Sequence, residues 1–198
     1  MALEFCIMYP EYVKKLISIS SGYKLSTLQT LHNLEQAYIL DLGKDSNNRN
    51  IEYLSLARMV AHKTYISLEL LSNRAKSETL YDDGLIKGFL STPQESYMMH
   101  QGEKFIERFT PESYLSIIKG WQNFKIEQED LNKLKDIETL VISVDSDVCF
   151  YPEEQKEFLE ILNNHEIRTT YSTINSTKGH DSFLLEPELF EDIFKNFL

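Results

Sequence analysis

Three consecutive segments near the C-terminus constrain the fold more than any other feature of the chain. "IETLVISVDSD" (137–147) carries a short apolar run from Leu140 to Val144, interrupted only by Ser143. "YPEEQKEFLEILNNH" (151–165) has helical periodicity, with Pro152 and two glutamates in its first turn, where the positive end of a helix dipole favours them. "IRTTYSTIN" (167–175) is rich in β-branched residues, which suit a pleated, half-buried surface. A strand, one helix and a second strand make a single crossover, and such a crossover joins parallel neighbours in one sheet. The chain is therefore committed to an α/β fold with a parallel sheet.

The rest of the chain extends this pattern. "VKKLISISSG" (13–22) holds a short apolar run, Leu16 to Ile19, closed by Ser-Ser-Gly, and predicts another buried strand. Before it, "MALEFCIM" predicts a helix already in progress, with no capping residue ahead of it, and leads us to expect a missing N-terminal part. From Tyr23 the alternating patterns give way to helical spacing. "STLQTLHNLEQAYILDL", "IEYLSLARMVAHKTYISLELLSNRA" (broken once), "QESYMMHQGEKFIERF" and "PESYLSIIKGWQNF" predict helices, and Pro111 suits the first turn of the last. Met98, Met99 and Trp121 are expected in the core of this helical part. "KDSNNRN" (44–50) and "YDDGLIKGFLSTPQ" (81–94) predict loops, and "LEPELFEDIFKNFL" a terminal amphipathic helix. The expected organisation is the start of an α/β core over 1–22, a helical insertion over 23–136, and the C-terminal α/β core over 137–198.

Charge and cysteine usage narrow the function classes. A net charge of −11 repels phosphate backbones and argues against nucleic-acid binding. Two cysteines far apart, Cys6 and Cys149, form neither a disulfide framework nor a zinc spacing, so a reducing cytoplasm and no metal are expected. No apolar run reaches the length of a membrane span, so no membrane partner is expected either.

Ligands of open parallel sheets bind beyond the carboxyl ends of the strands. Asp147 follows one such end and His180 another. The strands are neighbours, so carboxylate and imidazole can meet, and the carboxylate would fix the ring tautomer. Asp145 is a competing carboxylate, but Asp147, further past the strand end, is better placed in the loop. Asp181, directly beside His180, is a second possible partner for the ring. A nucleophile is harder to find. The chain has no Gly-x-Ser-x-Gly elbow. Ser20 and Ser21 end a strand without the helix-opening glycines, Cys149 lies too close to Asp147 for a separate role, and Cys6 packs in the first helix.

At this point the residues resemble a family. "MALEFCIMYPEYVKKLISISSG" is similar to the segment just after the nucleophile elbow of homoserine O-acetyltransferases. "LARMVAHKTYIS" (56–67) resembles their lid helix, and "ESYMMHQGEKFIERFTPESYL" (95–115) a later lid stretch. "SVDSDVCFYPEEQ" (143–155) and "GHDSFLLE" (179–186) resemble the acid and base segments of the same family, in the same order. Cys149 stands where the family usually has leucine, a change expected to alter packing more than chemistry. The resemblance covers essentially the whole chain.

The resemblance implies a partial α/β-hydrolase fold, its last parallel strands and flanking helices, with a helical lid insertion. It implies transfer of an acetyl group from acetyl-CoA, as co-substrate and with no bound cofactor, to the hydroxyl of L-homoserine, in methionine biosynthesis. His180 would be the general base and acid, and Asp147 its orienting acid. Arg58 would pair with the substrate carboxylate, Tyr65 would reach the reacting end, and Asp181 would hold the ammonium. Arg58 and Tyr65 are seven apart, two turns of a helix, and so are expected on one face. A homodimer through the lid is a further expectation. The nucleophilic serine would fall just before Met1, so the isolated chain is expected to be inactive. The rival expectations are a non-catalytic or partner-bound fragment, and the same fold using a succinyl donor or hydrolysing esters.

Overall fold

The computed structural model describes residues 1–45, 50–76 and 92–198. They form two units, one from residues 1–26 and 124–198, the other from residues 27–123.

The first unit is built on three parallel strands in the order β1-β2-β3: β1 (Lys15–Ile19), β2 (Glu138–Val144) and β3 (Thr169–Ile174). The register pairs Ile19 with Ile142 and Val144 with Ile174, so the C-terminal ends of β2 and β3 lie side by side. All three strands sit where the apolar and β-branched runs predicted them. β2 is central and buried on both faces from Thr139 to Val144, as a parallel strand covered by helices should be. Its side chains divide between two cores. Val141 packs with Leu16, Phe158, Leu162 and the α1 (Ala2–Met8) residues Leu3, Cys6 and Ile7. Leu140, Ile142 and Val144 pack on the opposite face with Ile174, Phe190 and Phe197.

The helices supply those layers. α7 (Pro152–Asn164) is the crossover between β2 and β3, opened by Pro152 with Glu153 and Glu154 in its first turn. It buries Phe158 and Leu162. The short α8 (Ser182–Leu185) follows β3, and α9 (Glu188–Phe197) closes the chain by burying Phe190 and Phe197. At 25 cal/mol per Å² of apolar surface, each buried phenylalanine contributes about 2–3 kcal/mol.

The packing divides the chain at points other than those suggested by sequence periodicity. Residues 124–136, expected with the helical insertion, belong to the sheet unit. Ile126, Leu131 and Leu134 are buried there beside Ile137, partly through a 3₁₀ segment, Gln128–Leu134. Tyr23 also joins this core, its ring stacked on Phe158 with centroids 5.7 Å apart.

The helical unit contains α2 (Thr27–Gly43), α3 (Asn50–His62), α4 (Leu68–Arg74), α5 (Pro93–Ile106) and α6 (Pro111–Gln122). Thr92 and Thr110 cap α5 and α6 with reciprocal side-chain bonds to Glu95 and Ser113, and a proline follows each cap. The core of the unit is Leu40, Leu54, Ala57, Phe105, Tyr114 and Ile118. α3 and α5 approach closely at Gly102, where a Cβ would stand 2.2 Å from Ser55 Oγ. Met98 and Met99 are only half-buried and Trp121 is exposed, so these three are not the core that was expected. Their positions on α5 and α6 fall beside the core-facing stripe, which Tyr97, Phe105, Tyr114 and Ile118 occupy. The middle of the loop expected over 44–50, and nearly all of the one over 81–94, lie outside the described residues.

Candidate active site

The C-terminal ends of β2 and β3 carry a buried carboxylate–imidazole pair. β2 ends at Val144 and the chain turns, the Asp147 amide donating to the Val144 carbonyl at 3.2 Å. The Asp147 side chain is fully buried. Its Oδ1 accepts from the amides of Cys149 and Phe150, both at 2.8 Å. Its Oδ2 accepts from His180 Nδ1 at 2.9 Å. Three donors therefore hold one carboxylate, which is how a buried anion becomes tolerable. The bond also fixes the imidazole with its proton on Nδ1, leaving Nε2 with a lone pair. Among the described residues Nε2 meets no protein partner, and the His180 side chain remains 19% exposed. The ring is stacked on Phe150, centroids 5.2 Å apart, and met edge-on by Phe183 at 5.7 Å.

The loop bearing His180 is tied to the β2 end by several bonds. His180 lies in a 3₁₀ turn, Gly179–Asp181, and Gly179 takes φ 70°, a conformation that favours glycine. The Gly179 amide donates to Ser146 Oγ at 3.1 Å, and Ser146 Oγ in turn donates to the Ser176 carbonyl. Asp145 is used here as well. Its amide donates to the Ile174 carbonyl and its carboxylate accepts from the Ser176 amide at 3.0 Å. So Asp145 clamps the loop while Asp147 orients the ring. Asp181, the other acidic neighbour, stands at the N-cap of α8, and the ring's bond goes to Asp147.

The first turn of α7 adds Glu154, whose carboxyl is pushed up by burial, with a bond to Ser26 acting the other way and the charges of Glu157 and Asp147 adding to the rise. Sequence reading treated Glu154 only as a dipole partner, and it gave Phe150 and Phe183 no role. Their sole signal was an aromatic residue three positions from each member of the pair.

Among the described residues neither serine at the end of β1 bonds to the imidazole. Ser20 is buried at φ 40°, and among the described residues its Oγ has no hydrogen-bond partner. Ser21 Oγ shares a 2.8 Å bond with Ser18 Oγ, and its amide donates to Gln155 Oε1. Cys6 is buried in the core, its thiol pushed up by burial. Cys149 is buried and contributes its amide to Asp147. Among the described residues no cluster of three His, Cys, Asp or Glu side chains could hold a metal ion.

In the helical unit the structure brings Arg58 and Tyr65 together, by a different route from the one expected. α3 ends at His62, so the two residues do not share two turns of helix. Thr64 ends the helix by donating both its amide and its Oγ1 to the Ala61 carbonyl, at 3.1 and 2.9 Å. The following turn carries the Tyr65 ring back over Arg58, 4.8 Å from the guanidinium carbon. Phe105 lies 4.9 Å from the same carbon. His62 is buried. Its Nδ1 accepts from Arg58 at 3.5 Å and its Nε2 donates to Tyr97 Oη at 3.0 Å. Burial, then the positive charges of Arg58 and Arg74, hold the His62 pKa at about 4. Tyr114 donates to Gln36 Oε1, and burial pushes its phenol up.

An α/β-hydrolase fold is defined by these features: parallel strands with a carboxylate after one strand and a histidine after the next, and helices on both faces of the sheet. Solved structures agree. The chain aligns over 99% of its length with homoserine O-acetyltransferase from Bacillus anthracis, TM-score 0.85, 15% identity, covering 56% of that chain. It aligns equally well with esterase E22, TM-score 0.85, 16% identity, covering 57% of that chain. No family model matches the sequence. Curated relatives do. The chain is 32% identical over 209 residues to the homoserine O-acetyltransferase of Methanosalsum zhilinae, which takes in 99% of the chain and 42% of that protein. It is 28% identical over 215 residues to that of Nautilia profundicola, of which it covers 58%. The resemblance read from the motifs thus holds across the whole chain, and its relatives are homoserine O-acetyltransferases. The chain spans about half the length of the curated relatives it matches.

Proposed function

We propose that this chain carries the acid–base half of an acyltransferase of the homoserine O-acetyltransferase type. The observation that carries this reading is the Asp147–His180 pair, with the proton fixed on Nδ1 and Nε2 left to act as base. In such a reaction Nε2 takes the proton of a serine as it attacks the acetyl thioester of acetyl-CoA. It returns that proton to the departing thiolate, then repeats the exchange with the hydroxyl of L-homoserine. Asp147 stabilises the imidazolium that forms at each stage. Arg58, its fork held between two aromatic faces, suits the substrate carboxylate. Tyr65 is the candidate to reach the reacting end and Asp181 to hold the ammonium. Acetyl-CoA is a co-substrate, with no resident cofactor, and the setting is methionine biosynthesis in the cytoplasm. Among the described residues no helix is long and apolar enough to cross a membrane.

The 198 residues contain no Gly-x-Ser-x-Gly elbow. On this reading a chain of these 198 residues has no elbow serine to take up the acetyl group, and its coenzyme A release should stay at background. Release of coenzyme A from acetyl-CoA plus L-homoserine tests this directly. The purified chain should give only background, and a longer polypeptide supplying the elbow ahead of Met1 should give turnover that His180→Ala abolishes. Robust turnover by the 198-residue chain would sink the inactivity, and an inactive longer polypeptide would sink the assignment.

Ester hydrolysis on the same framework is the second reading, favoured by the equal structural likeness to an esterase, and a succinyl donor is a variant of the first. A partner-bound, non-catalytic role rests on β1, which stands at one edge of the three-stranded sheet and offers unpaired backbone groups. A homodimer through the helical unit is supported by α2, where Leu28, Leu31, Leu34, Tyr38 and Leu42 recur at helical spacing and are all exposed.

A further inference from the structure

Arg58 opens onto a hollow that holds more positive charge than a single carboxylate needs. The hollow lies within the helical unit, has a volume of about 330 Å³, and is lined by Arg58, Gln101, Lys104, Glu107 and Arg108. Gln101, Lys104 and Arg108 are spaced three and four apart along α5 and the turn after it, so they share a face. Three cations face one carboxylate, in a chain whose net charge is −11. Among the described residues none of the three cations lies in a salt bridge. Among the described residues, several carboxylates pair instead with other lysines, such as Lys44, Lys125, Lys133 and Lys195. Three like charges gathered around a single carboxylate repel one another, and an anionic ligand relieves that repulsion.

The arrangement also says what kind of anion. A carboxylate presents two oxygens in one plane, which the Arg58 fork can satisfy by itself. Lys104, Arg108 and the Gln101 amide line the same hollow and add donors beyond that fork. With Glu107 counted, the lining carries a net charge of +2. Both features match a tetrahedral dianion. Arg58 is held in place beforehand, with Tyr65 and Phe105 on its faces and His62 accepting one of its N–H groups. Less ordering entropy is therefore lost when the anion arrives.

The geometry points to a phosphoryl subsite here: Lys104 and Arg108, with Arg58 as a shared wall, bind a phosphomonoester or pyrophosphate group of a small molecule. This goes beyond the acyl-transfer reading, which uses Arg58 alone and for a carboxylate. The test is calorimetric titration of the 198-residue chain with inorganic pyrophosphate at low ionic strength, beside succinate as a dianion of different shape. Saturable one-to-one binding of pyrophosphate is expected, weakened at least about tenfold in Lys104→Gln/Arg108→Gln and weakened by added salt. Both side chains are exposed, so the double variant should keep its circular dichroism spectrum, and each single variant is titrated with it. The proposal is overturned if pyrophosphate does not bind, if the substituted chains bind it as tightly as the original, or if succinate binds equally well. Failure here leaves the Asp147–His180 chemistry standing. Conversely, an inactive elbow-bearing polypeptide leaves the pyrophosphate titration unaffected.

Discussion

His62 makes the stability of the helical unit depend on pH in a direction that can be worked out in advance. The ring is buried on α3, with Arg58 on its Nδ1 side, Tyr97 of α5 on its Nε2 side, and the Arg74 charge of α4 adding to that of Arg58. A proton added at Nδ1 would point an N–H at an N–H and set imidazolium against guanidinium. Its pKa accordingly falls from 6.5 to about 4 in the folded chain. The folded state binds fewer protons than the unfolded one between those values. Stability is therefore full above pH 6.5 and is lost as pH falls from 6.5 toward 4. Fully realised, such a gap is worth about 3 kcal/mol, and solvent screening reduces it to about 1–2 kcal/mol. The assay is urea unfolding at about pH 7 and about pH 4.5, for the original chain and His62→Gln. Glutamine can accept from Arg58 and donate to Tyr97 without titrating. The original chain should lose about 1–2 kcal/mol more than the variant over that interval, or about 2–4 °C in Tm per kcal/mol. Equal losses in the two chains would refute the reasoning, as would an NMR titration placing the His62 midpoint near the ordinary histidine value.

Two further outcomes can be checked on the same chain. Gly102→Ala should destabilise by about 1–3 kcal/mol, because its Cβ would meet Ser55 Oγ at 2.2 Å, whereas Gly120→Ala on α6 meets nothing within 4 Å and should be neutral or stabilising by about 0.5–1 kcal/mol; thermal melts of the two variants decide it. If α2 carries a dimer contact, Leu34→Glu/Tyr38→Glu should shift the chain from dimer to monomer in sedimentation velocity without changing its helix content, and an unchanged sedimentation coefficient would remove α2 from any interface.

What the sequence could show follows from which contacts are fixed by chain order. A strand–helix–strand crossover has one common hand and puts its strands side by side, so residues just past the two strand ends must be close. That is why Asp147 and His180 were legible as a pair. The choice of Asp147 over Asp145 was also legible, since one residue past the turn faces the neighbouring loop while the other still serves the backbone. The contact between Arg58 and Tyr65 was legible only as a pairing. Its route depended on Thr64 competing for the Ala61 carbonyl, a local event that apolar periodicity does not report. Residues 124–136 pack with the sheet unit, and nothing in the apolar spacing of Ile126, Leu131 and Leu134 says which core those side chains enter. Trp121 shows the converse, a large apolar residue on an otherwise amphipathic helix that remains at the surface.

The Asp147–His180 pair is self-supporting in a way that matters for any acyl-transfer role. The bonds that hold Asp147 come from the turn that bears it and from His180. Bonds that anchor the His180 loop come from Asp145, Ser146, Ser176 and Gly179 at the same two strand ends, and from Glu186 just after α8. The aromatic groups against the imidazole, Phe150 and Phe183, lie within three residues of the pair. None of these contacts calls on a nucleophile or on an oxyanion-binding loop. The tautomer and the orientation of Nε2 are thus set by the chain itself before any serine is presented. On the acyl-transfer reading proposed above, a serine brought to Nε2 would meet a ring already oriented.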